Sequence, residues 1–269
     1  MKTSIFSGIS TVIALLSAGS LQASLFDVNF VGNSVGQDYG GGGPASPGPS
    51  MTGAAVLGSA GDTWNNIGDS AYAFSAYPNG INSAALPLMN SAGINTSVTM
   101  TIATDGGSYN ANEPNWSNTS AFTTAGSPYS NLMQDLIYAN KSGTITLSGL
   151  AASATYNLVL YNAGDQNVGA GRASAFTVNG VTQTSVWDGV TSTLTAGLSY
   201  VDFASAMSDG SGNLVITFGP GSIGGVLSSE GDLDGFQIMA AGVPEPASLA
   251  MLGVAGLMFV GWRRRLARA

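Results

Sequence analysis

The chain has 269 residues, of which 38 are glycine and only 8% are charged, against about 25% in a typical soluble domain. Seven basic residues against fifteen acidic ones make it a poor partner for nucleic-acid phosphates. The absence of cysteine and histidine excludes disulfide frameworks, zinc sites, thiol nucleophiles and Ser-His-Asp triads.

Residues 1–23 read as a secretory signal peptide. Lys2 supplies the positive start, and Ile5 to Gly19 is an apolar stretch broken only by small residues. Cleavage is expected after Ala23, with Ser20 as an upstream competitor. The stretch is short and small-residue-rich for a spanning helix; the alternative is a buried N-terminal helix.

Residues 24–242 read as one all-β ectodomain, a two-sheet β-sandwich. Leu25–Val31 is the first strand candidate. In 95–103, Val98, Met100 and Ile102 alternate with Ser97, Thr99 and Thr101, the period of a strand with one buried face. Thr144–Leu147 alternates likewise. In Thr155–Tyr161, Tyr156, Leu158 and Leu160 share one face and Asn157, Val159 and Tyr161 the other. Ala175–Val178 and Val181–Val186 flank Asn179-Gly180, a strong hairpin signal because both residues tolerate positive φ. Leu198–Phe203, Leu214–Phe218 and Leu233–Met239 complete the set, while 130–139 fits a short helix or another strand. The Gly-rich tract 39–49 reads as a surface loop. It lacks the lysine and following helix of a phosphate-binding loop. No fixed repeat supports a β-helix.

The last segment, 243–269, has three parts. Val243-Pro244-Glu245-Pro246 is an extended motif, residues 247–262 form an apolar run ending at Trp262, and Arg263, Arg264 and Arg265 open a basic tail that includes Arg268. Sixteen helical residues span about 24 Å. Arginine snorkelling and an interfacial Trp262 complete the span of a single transmembrane helix with the arginines inside. This end resembles the PEP-CTERM sorting signal. That resemblance implies recognition at Pro244, Glu245 and Pro246 by an exosortase, a membrane-embedded processing enzyme. It also implies membrane tethering before processing, and a Gram-negative host that makes extracellular polysaccharide. An ordinary single-pass anchor is the alternative.

Gly149-Leu150 followed by Thr155-Tyr156 and a strand, Phe176-Thr177-Val178-Asn179-Gly180, and Leu233-Asp234-Gly235-Phe236-Gln237-Ile238 resemble segments of galactose-binding-like jelly rolls. That resemblance implies a jelly-roll sandwich of the kind found in carbohydrate-binding modules and surface proteins, often with a structural calcium.

Two sets of residues are candidate sites. Glu230, Asp232 and Asp234 place three carboxylates within five residues, oxygen ligands of the type Ca²⁺ takes; the alternative is an acidic turn before the last strand. Trp64, Tyr109 and Trp116 are candidate sugar-stacking rings, although Gly61–Asn65 also reads as a packing corner. No carboxylate pair has a diagnostic spacing, and no catalytic residue is expected. The leading expectation is an exported, non-enzymatic surface or matrix protein that binds polysaccharide. The alternatives are a carbohydrate-active enzyme using paired carboxylates and a purely structural matrix or adhesion component. The ectodomain is strongly acidic: Lys141 and Arg172 stand against fourteen Asp and Glu, a net of −12.

Overall fold

The computed structural model describes residues 24–31, 50–68, 80–110, 121–163 and 172–241. Leu25–Ala241 forms one compact unit, and among the described residues it is all-β apart from a single helical turn, α1 (Ala121–Thr124).

A five-stranded sheet runs in the order β12 (Tyr200–Met207), β9 (Thr155–Tyr161), β17 (Gly235–Ala240), β1 (Leu25–Val31) and β2 (Asn65–Gly68). All its pairings are antiparallel except β1 with β2. A seven-stranded sheet contains β11 (Val181–Trp187), β10 (Arg172–Val178), β13 (Leu214–Pro220), β8 (Gly143–Ser148), β5 (Asn95–Thr104) and β3 (Ile81–Asn82), with β4 (Leu86–Met89) also paired to β5. A smaller sheet joins β16 (Gly231–Leu233), β7 (Asp135–Ala139) and β6 (Ser108–Asn110), and β14 (Ser222–Ile223) with β15 (Val226–Leu227) makes a short hairpin.

The two large sheets face each other across one core, which makes a β-sandwich. Phe26, Val28 and Phe30 of β1, Tyr156, Leu158 and Leu160 of β9, and Phe236 and Ile238 of β17 meet Met100, Ile102, Ile145, Leu147, Phe176, Ile216 and Phe218 of the opposite sheet. These are the alternating apolar positions of each strand, so the period of two places them inward together. The opposite face of β5 and β8 presents Thr99, Thr101, Thr144 and Thr146, none of them fully buried. Strand Thr155–Tyr161 has the bounds expected from sequence, and Asn179 and Gly180 both adopt positive φ between β10 and β11. Segment 130–139 resolves as the strand β7, preceded by turns, not a helix. The single run expected at Leu233–Met239 is divided, because Asp234 leaves the ladder between β16 and β17.

The five-stranded sheet is covered on its outer face as well. A second apolar cluster joins Val159 and Tyr161 of β9 to Met51, Trp64, Phe122, Leu132 and Met133, with Val56 and Leu57 packed against it. β1 is therefore buried on both faces over its whole length, although it carries Asp27 and Asn29.

Candidate functional site

The outer face of the five-stranded sheet concentrates the polar chemistry of the described residues. Asp27 lies directly opposite Gln237 in the β1–β17 ladder. The Gln237 side-chain amide donates to Asp27 Oδ1 (2.6 Å) and to the Leu57 carbonyl (3.0 Å). Its carbonyl accepts from the Tyr161 hydroxyl (2.5 Å) and from Leu57 N–H (2.8 Å). Val56 N–H donates to the same tyrosine oxygen (3.0 Å). Segment 52–63 is thus a strap whose centre is pinned to the sheet by two buried side chains.

The strap also holds itself together. Gly53 N–H bonds the Asp62 carbonyl, and the Asp62 carboxylate accepts from Ser59 N–H and Oγ. Gly58 has φ +88°, in the left-handed region that favours glycine, and a Cβ there would also lie 1.9 Å from Asp62 Oδ2. Burial pushes the Asp27 carboxyl up to about 7; the Gln237 bond opposes this shift and the nearby Asp62 charge adds to it. Burial likewise raises the Tyr161 hydroxyl, so that it remains a donor.

Beside the strap lies a cleft of ≈ 290 Å³ between Val56 and Leu57 on one side and Asn157, Val159, Tyr200 and Asp202 on the other. Tyr200 pairs with Tyr161 and Asp202 with Val159, which places Tyr200 and Asp202 on the outer face. The Tyr200 ring lies 6.2 Å from the Tyr161 ring at a tilt of 54°. Between Phe203 and Ala206 the β12–β9 register shifts, opening the edge strand opposite Asn157. Nothing in the local sequence singles out Tyr200, Asn157 or Asp202 as site residues; the alternation within β9 and β12 and the pairing of the two strands put them on one face.

The acidic trio expected from sequence is divided. Glu230 forms an ion pair with Arg172. Asp232 lies at 3.7 Å from Arg172 Nε, and its backbone N–H bonds Ser174 Oγ. Asp234 is fully buried and accepts from Ala163 N–H (2.7 Å). Its carboxyl is held well above the ordinary range by burial, with further upward pushes from Asp232 and Asp135. Asp135 on β7 therefore replaces Glu230 in the group, a neighbour that spacing along the chain did not reveal. Asn162 lies between Tyr161, whose carbonyl accepts from Asp234 N–H, and Ala163, whose N–H donates to the Asp234 carboxylate. It is fully buried, and neither its side-chain oxygen nor its nitrogen has a partner. Among the described residues, no group of three or more His, Cys, Asp or Glu side chains is placed to hold a metal ion.

Trp64 is a packing residue in this structure. It is buried, donates from Nε1 to the Gly53 carbonyl (2.7 Å), and lies 6.5 Å from the Tyr161 ring. It presents no open face to a sugar. Tyr109 falls on β6 with its side chain outside the described residues, and Trp116 lies outside them altogether. So do the signal segment 1–23, the Gly-rich tract 39–49, Pro244, Glu245 and Pro246, the apolar run 247–262 with Trp262, and Arg263, Arg264 and Arg265. Among the described residues, no helix is long and apolar enough to cross a membrane.

Residues 242–265 match the family described as the PEP-CTERM protein-sorting motif. The chain therefore carries a PEP-CTERM sorting motif, which implies an exported, membrane-associated substrate processed by an exosortase. No curated protein matches the sequence. Among solved structures, the extracellular domain of ANXUR1 from Arabidopsis thaliana is similar at 15% identity and a TM-score of 0.42, covering 83% of this chain and 51% of that one. The ANX2 ectodomain from Arabidopsis thaliana is similar at 15% identity and a TM-score of 0.41, covering 84% and 56%. A family 35 carbohydrate-binding module from Clostridium thermocellum is similar at 18% identity and a TM-score of 0.25, covering 53% of this chain and 98% of that one. The chain thus spans about half the length of the two plant ectodomains. All three TM-scores lie below 0.5, so the β-sandwich rests on the sheets and core described above.

Proposed function

We propose that this protein is an exported, non-enzymatic surface or matrix component that is held at the membrane by its C-terminal segment, released by an exosortase, and binds extracellular polysaccharide through its β-sandwich. The observation that carries this reading is the sorting motif at 242–265. The sandwich supports a binding role, because a cleft on its outer face combines an aromatic ring with hydroxyl-bonding groups. A Gram-negative envelope is the setting that the sorting motif suggests, with residues 247–262 as the membrane span. Replacing Pro244, Glu245 and Pro246 together with alanine should abolish processing, so that the unprocessed chain accumulates in the membrane fraction and release to the medium stops. Unchanged processing and release would refute the sorting role. Release of reducing ends from polysaccharide by the purified protein would instead favour the paired-carboxylate enzyme.

A structural Ca²⁺ is a second reading, favoured by the orphaned polar atoms of Asn162 and by Asp234 Oδ1. Asp234 Oδ1 and Asn162 Oδ1 would be two of its oxygen ligands, with Glu230 left to Arg172. The ion would keep Asp234 charged, whereas without it burial favours the protonated form. Excess Ca²⁺ should then raise the melting temperature at neutral pH and a chelator should reverse the rise. No shift with either would remove calcium from the account.

A further inference from the structure

The cleft beside the strap has a charge character that narrows its ligand. Asp202 stands exposed at its rim, on the same face as the Tyr200 ring two residues earlier. Neither basic residue of the ectodomain lines it: Arg172 is engaged by Glu230, and Lys141 lies on the turn before β8. An anionic sugar would meet no counter-charge here, and it would approach an ectodomain of net charge −12. A carboxylate beside an aromatic ring attracts a protonated amine twice, through the ion pair and through the negative face of the ring. Asn157 adds an amide that both donates to and accepts from sugar hydroxyls. The cleft's ≈ 290 Å³ sits at the lower limit of the roughly 300–1,000 Å³ of small-molecule sites, room for one ring rather than a chain segment.

We infer that this cleft binds a sugar residue carrying a free, protonated amine, so that the partner polysaccharide is a cationic, amino-sugar polymer. The inference rests on the polysaccharide-binding reading and specifies its ligand. Tyr200 provides the platform under the ring, Asp202 pairs with the ammonium group, and Asn157 bonds a neighbouring hydroxyl. The strap residues Val56 and Leu57 form the opposite wall. Their position is fixed by Gln237 and Tyr161, so the site is preorganised by bonds made beneath it.

The test is calorimetric titration of the full-length protein in detergent with three short oligosaccharides: β-linked glucosamine, its N-acetylated counterpart, and a neutral β-glucan. The free-amine oligomer should bind most tightly, and its affinity should fall between about 0.02 M and about 0.5 M salt as screening shortens. Asp202→Asn should lower that affinity by about three- to fivefold. This exchange is isosteric and at an exposed position, and an unchanged melting temperature would verify the fold. Tyr200→Ala should lower it by about tenfold. Equal or better binding of the N-acetylated or neutral oligomer would overturn the amino-sugar inference while leaving polysaccharide binding standing. Preference for the amine with no loss in Asp202→Asn would also overturn it, by placing the site elsewhere. Binding of none of the three, nor of any glycan in a wider screen, would remove both readings.

Discussion

Asp27→Asn should make the protein more stable at pH 8 and nearly unchanged at pH 5, and should remove much of the pH dependence of its melting temperature. In the folded chain the Asp27 carboxyl titrates at about 7, raised from 3.8, chiefly by burial. The folded state therefore holds its proton more tightly than the unfolded state. The stability contributed by protonated Asp27 is full below about pH 4, declines as pH rises, and is lost on passing through 7. A rise of this size corresponds to about 4 kcal/mol as an upper limit. Asparagine at this position keeps an oxygen for the Gln237 amide to bond and never acquires the buried charge. Asp234, whose carboxyl is also raised by burial, tilts the wild-type curve in the same direction. Two other carboxylates act oppositely. At Asp188, slight burial is outweighed by hydrogen bonds from Thr191 and Val190. At Asp209, bonds from Asn213 and Ser211 lead, and both groups are lowered. The stability they contribute is present above their unfolded value and is lost only in more acidic solution. Thermal unfolding followed from pH 4 to pH 9 should show a falling melting temperature in the wild type and a flatter line in Asp27→Asn. Parallel curves would show that Asp27 is charged in the folded protein.

Gly231→Ala should be among the most damaging single-methyl additions in the chain, at about 3 kcal/mol, the upper end for overpacking. Gly231 begins β16, and a Cβ there would lie 2.0 Å from both the carbonyl carbon and the oxygen of Gly219. The obstacle is backbone belonging to β13, which is fixed on both sides by β10 and β8. It has no rotamer through which to retreat. Separating the two strands would also move Glu230 and Asp232 away from Arg172. Gly210→Ala is the matched control. That position has open space around it and no positive φ, so the exchange should be neutral or should stabilise by about 0.4–1 kcal/mol through the unfolded chain. Denaturant midpoints of the two variants give the comparison. Equal midpoints would mean that β16 and β13 are not in close contact.

Much of the sandwich was legible because its strands carry their burial in their own alternation. β5 and β8 show it plainly, and β9 shows two different faces because both are covered. The hairpin at Asn179-Gly180 was legible for an equally local reason, since the turn demands positive φ at both positions. The strap was not. Its bonds join Leu57 to Gln237 and Val56 to Tyr161, 180 and 105 residues apart, and no local pattern encodes such partners. Trp64 is a candidate ring for sugar in a stretch that also reads as a packing corner; its hydrogen bond to Gly53 and its ring contact with Tyr161 decide for packing. The acidic trio misled for a related reason. Closeness in sequence groups the three carboxylates, while the ladder break at Asp234 and the reach of Arg172 sort them by space. The cleft was invisible because its lining comes from three separate segments, 56–57, 157–159 and 200–204, which only the fold brings together.

The place of β17 bears on the order in which this molecule can be completed. This strand lies in the middle of the five-stranded sheet, between β9 and β1, and ends at Ala240, just before the sorting match begins at 242. A chain emerging from its N-terminus presents β1 and β9 long before the strand that must fill the gap between them. Until residue 240 arrives, both strands keep unsatisfied hydrogen-bonding edges, and Asp27 lacks Gln237. Closure of the sheet and arrival of the sorting segment are thus nearly simultaneous events. A chain crossing the membrane would stay unfinished, and therefore threadable, for almost its whole passage.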